Sequence, residues 1–427
     1  MQMKKLILSI VAVFFATTII TPFARAYTPS PVELAQQSGY PVTLPFQPEG
    51  GINISQTGQI LYDYNSQKEW YPASMTKLMT MYLTLQAVKE KKLSLNDTVK
   101  ITPEHYRMST LPELSNTKLY PGETYTIAEL LQITVSASSN AAALILANQV
   151  SDNTSDFVDK MNQTAKSLGM NHTHYVNPTG AENRLLLEFV PKRYQNESSS
   201  ISTAHDYAIL AQHTVQDTPK ILHFTKQIAP TQHGVTYYTF NDLLEGGNMS
   251  LEGTDGLKTG SSDIADYNNS LTTKRGKFRI FHIIMGAGDY KHLGGEKQRN
   301  MMSASAINYS FALYDYKKVL SKGKHKIDGK TYYVTKDLYD VVPKNLKKPY
   351  HFVIDDNHVH LDYDRKFITK HDGPPKVEVE NPFIYESKSV VISSWQTHPW
   401  MTILAFGVIV VFLSIVFYSL MSRFRRK

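Results

Sequence analysis

The chain is 427 residues long and carries 45 Lys and Arg against 38 Asp and Glu, fifteen His and no Cys. That length leaves room for two or three domains and a large core, while the missing thiols exclude cysteine catalysis, disulfides and cysteine-based metal sites. Scattered histidines without a His-Glu-x-x-His spacing give no reason to expect a metal or cofactor, and a net charge of +7 with no basic–aromatic pattern argues against nucleic acid.

Residues 1–26 open with Lys4-Lys5, continue through the apolar stretch 6–20 and close on Ala24-Arg25-Ala26. A basic start, an apolar middle and a small-x-small end are expected of a secretory signal peptide. A second apolar run, 401–421, holds no charge and is followed by Arg423, Arg425, Arg426 and Lys427. As a helix it is long enough for a hydrocarbon core of roughly 30 Å. Trp395 and Trp400 stand before it, and the basic tail is expected on the cytoplasmic side. Residues 27–398 are then expected outside a single-pass membrane anchor. No Leu-Pro-x-Thr-Gly sequence precedes the run, so covalent attachment to a wall is not expected. An ectodomain of this size without cysteine fits a bacterial surface, and the modest positive charge suits an anionic wall or membrane.

From its start the chain reads as follows. Residues 27–50, rich in proline and polar residues, look like an irregular lead-in. Residues 51–64 predict a hairpin turning at Gln56-Thr57-Gly58. Tyr71-Pro-Ala-Ser-Met-Thr-Lys77 then leads into apolar residues at helical spacing, Leu78, Met79, Tyr82, Leu83 and Val88, with Pro72 near the helix start. Thr126-Ile-Ala-Glu129 is a capping box for a helix over 127–135. A second apolar run at 141–150 follows Ser136-Ala-Ser-Ser-Asn140. Phe157, Met161, Ala165 and Leu168 mark an amphipathic helix stopped by Gly169. Residues 174–180 read as a strand entering a turn, 181–200 as a loop, and Thr203-Ala-His-Asp206 as the cap of another helix. Strands alternate with turns over 257–288, with Lys274-Arg-Gly276 as a hairpin tip, and a last helix is expected over 298–319. Beyond it, short β-rich pieces at 332–334, 350–354, 358–361 and 377–379 predict a small all-β domain.

Three short motifs carry chemistry. Ser74 and Lys77 face the same way only if the backbone between them is helical. Partial burial and a helix N-terminus would favour a neutral amine, able to take the proton of the serine hydroxyl. Alone, Ser-x-x-Lys reads equally well as a capped surface helix with a solvated lysine. Here Ser138-Ser139-Asn140 follows between two helices, and Lys258-Thr259-Gly260 opens a strand. Each triplet is common as a cap or turn. The three in this order, on these elements, form the motif set of penicillin-binding proteins and serine β-lactamases.

On these residues the chain resembles the low-molecular-mass penicillin-binding proteins that act as serine-type D-alanyl-D-alanine carboxypeptidases. Phe157-Val-Asp-Lys-Met-Asn162, Leu168-Gly-Met170 with Thr173-His174, Ser202-Thr-Ala204 and Asp255-Gly-Leu-Lys-Thr-Gly260 extend the likeness over residues 45–316. It implies an α/β (α+β) penicillin-recognising fold, an antiparallel sheet covered by helices with a second helical region inserted. The expected layout is a signal peptide (1–26), a catalytic domain (27–316), a small β-rich domain (317–392), then linker, transmembrane helix and tail (393–427). The β domain is expected to be a spacer lifting the site off the membrane.

The resemblance implies Ser74 as acyl-ester nucleophile, Lys77 as base, Ser138 as proton relay and Asn140 as the group positioning Lys77 and the substrate amide. Lys258 and Thr259 suit the terminal carboxylate of a peptidoglycan pentapeptide. Gly260 admits a close-lying substrate strand, and the N–H groups of Ser74 and Ser261 form the oxyanion hole. β-Lactams are the expected covalent inhibitors. Two departures stand out: Ala141 follows Asn140 where many relatives have an acidic residue, and 183–200 has no familiar pattern. A transpeptidase or endopeptidase could share this fold. A β-lactamase would want a Glu-x-x-Leu-Asn pattern that is missing here, and a wall-binding scaffold would not need all the reacting groups.

Overall fold

The structure is a computed structural model that describes residues 28–292, 294–397 and 399–424. The expected signal peptide and the end of the basic tail lie outside the described residues. Strands β1 (Gly50–Ser55), β2 (Ile60–Tyr64), β3 (Thr254–Ser262), β4 (Asp266–Arg275) and β5 (Phe278–Ala287) form one antiparallel sheet in the order β2-β1-β5-β4-β3. The hairpin expected over 51–64 is β1–β2, and the tip expected at 274–276 joins β4 to β5. β5 is apolar on both faces because both are covered. Phe281, Ile283 and Met285 join the main core, whereas Ile284 packs with Met301, Met302, Val32 and Ala35 on the other side.

The lead-in expected to be irregular holds helix α1 (Pro31–Gln37), whose capping box pairs Ser30 with Glu33. The inserted helical layer contains α2 (Lys77–Lys89), α3 (Ile127–Ser136), α4 (Asn140–Val150), α5 (Thr154–Leu168) and α6 (Ala204–Asp217). Most of α2 is buried, consistent with apolar residues all round it. The caps at Thr126, Thr203 and Gly169 lie where expected. Residues 174–180 contribute only an isolated bridge, His174 to Ile201, rather than a strand. The stretch 181–200 holds short helical turns at Asn183–Leu186, Leu187–Phe189 and Lys192–Tyr194.

The last helix of this part, α7 (Gly295–Leu313), ends short of the expected 319. From Tyr314 the chain joins β6 (Tyr314–Leu320), which pairs with β9 (Leu338–Pro343). Between and after them, β7 (Gly323–Ile327), β8 (Lys330–Val334), β10 (Phe352–Asp355), β11 (His358–Leu361) and β12 (Val377–Glu380) make a sheet in the order β7-β8-β12-β11-β10. Leu320, Ile327, Val334, Leu338, Val359 and Val379 give it a core of its own.

A strap of irregular backbone docks this module onto the first sheet. Phe367 bridges to Gln59, Ile60 N–H donates to Lys366 O at 2.9 Å, and Ile368 N–H donates to Gly58 O at 2.8 Å. The free edge at β2 is thereby covered there. Ile368 is buried within the main core. Arg365, whose side chain is only 5% exposed, donates to Asp340 Oδ1 at 2.9 Å and to Gln59 Oε1 at 3.3 Å.

The linker expected from 393 is instead part of helix α8 (Pro382–Thr397), and α9 (Pro399–Phe424) follows. Tyr385 of α8 stacks on Tyr333 of β8 with ring centroids 3.6 Å apart. Among the described residues no helix is long and apolar enough to cross a membrane, so the structure does not show the anchor expected at 401–421.

Candidate active site

Ser74 lies not in α2 but in the single 3-10 turn Ala73–Thr76 that precedes it, and α2 begins at Lys77. The expected alignment survives because residues three apart eclipse each other in a 3-10 turn. Lys77 Nζ is 2.8 Å from Ser74 Oγ. Ala73 is held in left-handed backbone at φ +46°. Such strain persists only where the surroundings over-determine it.

Lys77 is fully buried. Burial first, then the nearby charge of Lys258, holds its pKa well below the usual lysine value, so a neutral amine is favoured. Besides Ser74, Nζ contacts Asn140 Oδ1 and Thr179 O, each at 2.9 Å. Neither oxygen can donate. Asn140 cannot turn its amide around without loss, since Nδ2 donates to Ser115 O at 2.8 Å. A neutral amine has two N–H bonds and one lone pair. With both N–H bonds given to these acceptors, the lone pair is left for the Ser74 hydroxyl.

Ser138 sits between α3 and α4 at φ +53°, a left-handed position rare for a non-glycine residue. It lines one cavity with Ser74 and Thr259. Lys77 Nζ takes Ser74, Asn140 and Thr179 as neighbours, so a relay through Ser138 has no preformed bond to the amine.

Lys258 lies within β3 rather than at its start, opposite Ser270 of β4. The Asp255 carboxylate, near the beginning of β3, receives two bonds from the Arg279 guanidinium at 2.7 and 2.8 Å, which fixes β3 to β5. Lys258 is buried and donates to Thr259 O at 3.0 Å. Burial, with the Arg299 guanidinium nearby, brings its pKa down to about 7. Arg299 was not legible as a site residue. Also buried, it comes from α7 and donates to Asn268 O at 3.2 Å and to Asn300 Oδ1 at 2.9 Å. Burial lowers the pKa of Lys77, Lys258 and Arg299 alike. The desolvated positive charge available at Lys258 and Arg299 favours an incoming carboxylate.

Gly260 is required by a different neighbour from the one expected. A Cβ there would meet Pro72 O at 2.6 Å and Met75 N at 2.9 Å, so β3 lies directly against the nucleophile's turn. Substrate approach is therefore not what the structure itself demands of this glycine. Ser261 lines both cavities beside Ser74.

The cleft consists of adjoining cavities of about 370 and 440 Å³ that share Ser74, Ser115, Ser261 and Tyr290 in their walls. The first runs toward Asn140, Glu182, Arg184 and Ser200, so the stretch read as a plain loop forms a rim. The second runs past Ser138 and Thr259 toward Phe240, Tyr267 and Glu296. Among the described residues no three His, Asp or Glu side chains converge as metal ligands. All eight residues expected at the site thus gather in one region. Sequence reasoning missed Thr179, whose contribution is a carbonyl, and Arg299, which carries no motif.

Residues 52–289 match the family model described as D-alanyl-D-alanine carboxypeptidase, and residues 316–380 match a domain of unknown function. The chain is 30% identical to the D-alanyl-D-alanine carboxypeptidase DacF of Bacillus subtilis (strain 168) over 70% of its own length and 72% of the relative's. A crystal structure of a peptidoglycan synthesis regulatory factor (PBP3) from Streptococcus pneumoniae is similar at 26% identity and TM-score 0.68, covering 78% of this chain and 98% of that one. Penicillin-Binding Protein D2 from Listeria monocytogenes, in its ampicillin-bound form, is similar at 28% identity and TM-score 0.51, covering 62% of this chain and 97% of that one.

Proposed function

Because the chain belongs to the D-alanyl-D-alanine carboxypeptidase family, we propose that Ser74 and Lys77 carry its reaction and that the surrounding residues divide the remaining roles. The protein is a penicillin-binding, serine-type D,D-carboxypeptidase that removes the terminal D-alanine from peptidoglycan pentapeptide stems. The observation that carries the assignment of roles is Lys77 Nζ 2.8 Å from Ser74 Oγ, with its two other contacts made to the acceptors Asn140 Oδ1 and Thr179 O.

In this reading Lys77 takes the hydroxyl proton as Ser74 Oγ attacks the carbonyl of the penultimate D-alanine. Charge developing on the carbonyl oxygen meets the backbone N–H groups of Ser74 and Ser261. One such donor is worth about 2.7–4 kcal/mol in comparable sites. Lys258 and Thr259 hold the terminal carboxylate, with Arg299 adding positive potential behind them. The carboxylate in turn favours the charged form of Lys258, and that charge keeps Lys77 neutral. Asn140 holds Lys77 and presents its amide to the substrate. The leaving D-alanine nitrogen receives a proton from Lys77 through Ser138, and water then hydrolyses the Ser74 ester.

We also propose that 401–421 anchors the protein as a single span with the catalytic domain outside the cytoplasm. The run holds no charge, and the side chains of Trp400, Leu404, Val408, Phe412 and Phe417 on α9 are apolar and exposed. An exposed apolar helix surface of this kind needs a non-aqueous surrounding. Alkaline extraction of membranes tests this, since release of the protein into the soluble fraction would contradict the anchor. The module 317–392 is proposed as the spacer below the cleft, after the signal peptide 1–26 and the catalytic domain 27–316. Unchanged wall trimming in cells with a shortened module would sink the spacer role.

The catalytic assignment is tested by incubating the full-length chain and its Ser74→Ala variant with a muramyl pentapeptide ending in D-Ala-D-Ala, followed by mass spectrometry. Loss of one alanine with the parent alone is expected. A β-lactam adduct on Ser74 without alanine release would move the chemistry to a transpeptidase or endopeptidase, and neither product nor adduct would overturn the site.

A further inference from the structure

The turn Asn177-Pro178-Thr179-Gly180 lies between α5 and α6 and supplies Lys77 with one of its acceptors, the Thr179 carbonyl. Its geometry is set by one side chain. Asn177 is fully buried, and its Oδ1 accepts from Thr179 N–H at 2.9 Å, Thr179 Oγ1 at 2.8 Å and Gly180 N–H at 2.8 Å. Its Nδ2 donates to Ala181 O at 2.8 Å and Asn183 Oδ1 at 2.9 Å. The carboxamide is thus used at both ends, which fixes its orientation as well as its position.

Two contacts transmit that order to the reacting groups. Gly180, at φ +79°, leaves no room for a Cβ: one would fall 1.9 Å from Ala73 O, in the residue before the nucleophile. Pro178 O accepts from Thr80 Oγ1 at 2.7 Å, one turn along α2 from Lys77. The turn is therefore wedged between the residue preceding Ser74 and the helix that bears the base.

We propose that Asn177 is a positioning residue for the reaction: through the Thr179 carbonyl it fixes the direction in which the Lys77 lone pair meets the Ser74 hydroxyl. This rests on the reading of Lys77 as base. Without a fixed Thr179 carbonyl, one amine N–H loses its acceptor, and Asn140 Oδ1 alone is left to restrain rotation about the Cε–Nζ bond. The lone pair then points at Ser74 only part of the time. Losing an acceptor also disfavours the ammonium form, so the base does not become harder to deprotonate. The expected signature is a lower plateau of the acylation rate without an upward move of its acid limb. A purely structural role would lower stability and leave the plateau in place.

The test measures the second-order rate of acylation of the full-length chain by a fluorescent penicillin from pH 5 to 10, alongside thermal unfolding. Asn177→Ala is expected to lower the plateau on the order of 100-fold, as for a displaced catalytic group. Thr179→Val keeps the carbonyl and the shape but removes the hydroxyl bond to Asn177, together with the bond the hydroxyl accepts from Ala181 N–H within the same turn. It is expected to melt cooperatively and lose ~10-fold by the same argument. A folded Thr179→Val variant whose rate stays within about two-fold of the parent across the pH range overturns the proposal, even if Asn177→Ala does not fold. Lys77→Met serves as the separate check on the base. Retained acylation in that variant would refute the reading of Lys77, whatever Thr179→Val does.

Discussion

Replacing Lys258 by methionine should make the protein more stable while disabling it. Lys258 is 2% exposed, and its pKa is brought from an ordinary 10.5 down to about 7 by burial and by Arg299. Above the unfolded value both states hold a neutral amine, and the residue adds no penalty. As the pH falls toward 7 the unfolded chain takes up its proton first, and stability drops by about 1.4 kcal/mol per pH unit. Below about 7 both states are charged and the full penalty, about 5 kcal/mol, stays constant. Methionine fills a similar volume without this slope but gives up the bond to Thr259 O, worth about 1–2 kcal/mol. The variant should therefore exceed the parent by about 3 kcal/mol at pH 6, with the difference narrowing toward pH 10. Lys77 contributes a slope of the same sign to both proteins, so most of it cancels. Urea unfolding of the full-length chain in mild detergent at pH 6, 7.5 and 9, with pentapeptide kinetics beside it, supplies the comparison. A difference that does not vary with pH, or a variant less stable at pH 6, would refute the reasoning.

The same lysines predict a bell-shaped kcat/KM for the pentapeptide. The rate should rise as Lys77 loses its proton and fall above about 7 as Lys258 does, the two limbs belonging to the coupled pair; Lys258→Arg should move the falling limb upward, and an unmoved limb would exclude Lys258 as its source. Gly260→Ala places a methyl against Pro72 O and Met75 N, so penicillin acylation should fall ~100-fold with a stability loss of about 1–3 kcal/mol, read from adduct formation and thermal melting. Ile368→Ala should cost about 2–5 kcal/mol in the unfolding of the catalytic domain, because the side chain belongs to that core although it lies in the module beyond residue 317. An unchanged melting temperature would show that the strap is not anchored there.

What was legible depended on whether the information sits in residue types. Ser74, Lys77, Ser138, Asn140 and Lys258 are chemically marked and stand on elements announced by caps and periodicity, such as Thr126 with Glu129. Thr179 acts through its carbonyl, which every residue has, so only the fold could place it against Lys77. Arg299 reaches the site because α7 packs across the sheet, a long-range contact with no local signal. The helix α1 is announced by Ser30-Pro-Val-Glu33, a capping box masked by the proline-rich composition of the region, although proline at a first helical position is favourable. The helix expected through 319 stops at Leu313 because Tyr314 and Tyr316 find cross-strand partners in Pro343 and Val341. Tertiary pairing there outweighs a weak local preference. The strap 363–372 left no trace, since single backbone bridges have no period.

The site gathers features that each work against stability. Ala73 and Ser138, neither of them glycine, sit in left-handed backbone, and the basic side chains of Lys77, Lys258 and Arg299 are buried. Strained non-glycine residues cost of order 1–3 kcal/mol each, and Lys258 alone adds about 5 kcal/mol below pH 7. These costs are linked to one another and to function. The charge of Lys258 helps keep Lys77 neutral, and a neutral Lys77 is what makes its lone pair available to Ser74. Gly180, packed on the Ala73 carbonyl, helps hold the strained residue that presents Ser74. Relieving any one of them should therefore raise stability and lower the acylation rate together, and the large core around α2 is what lets the fold tolerate the whole set.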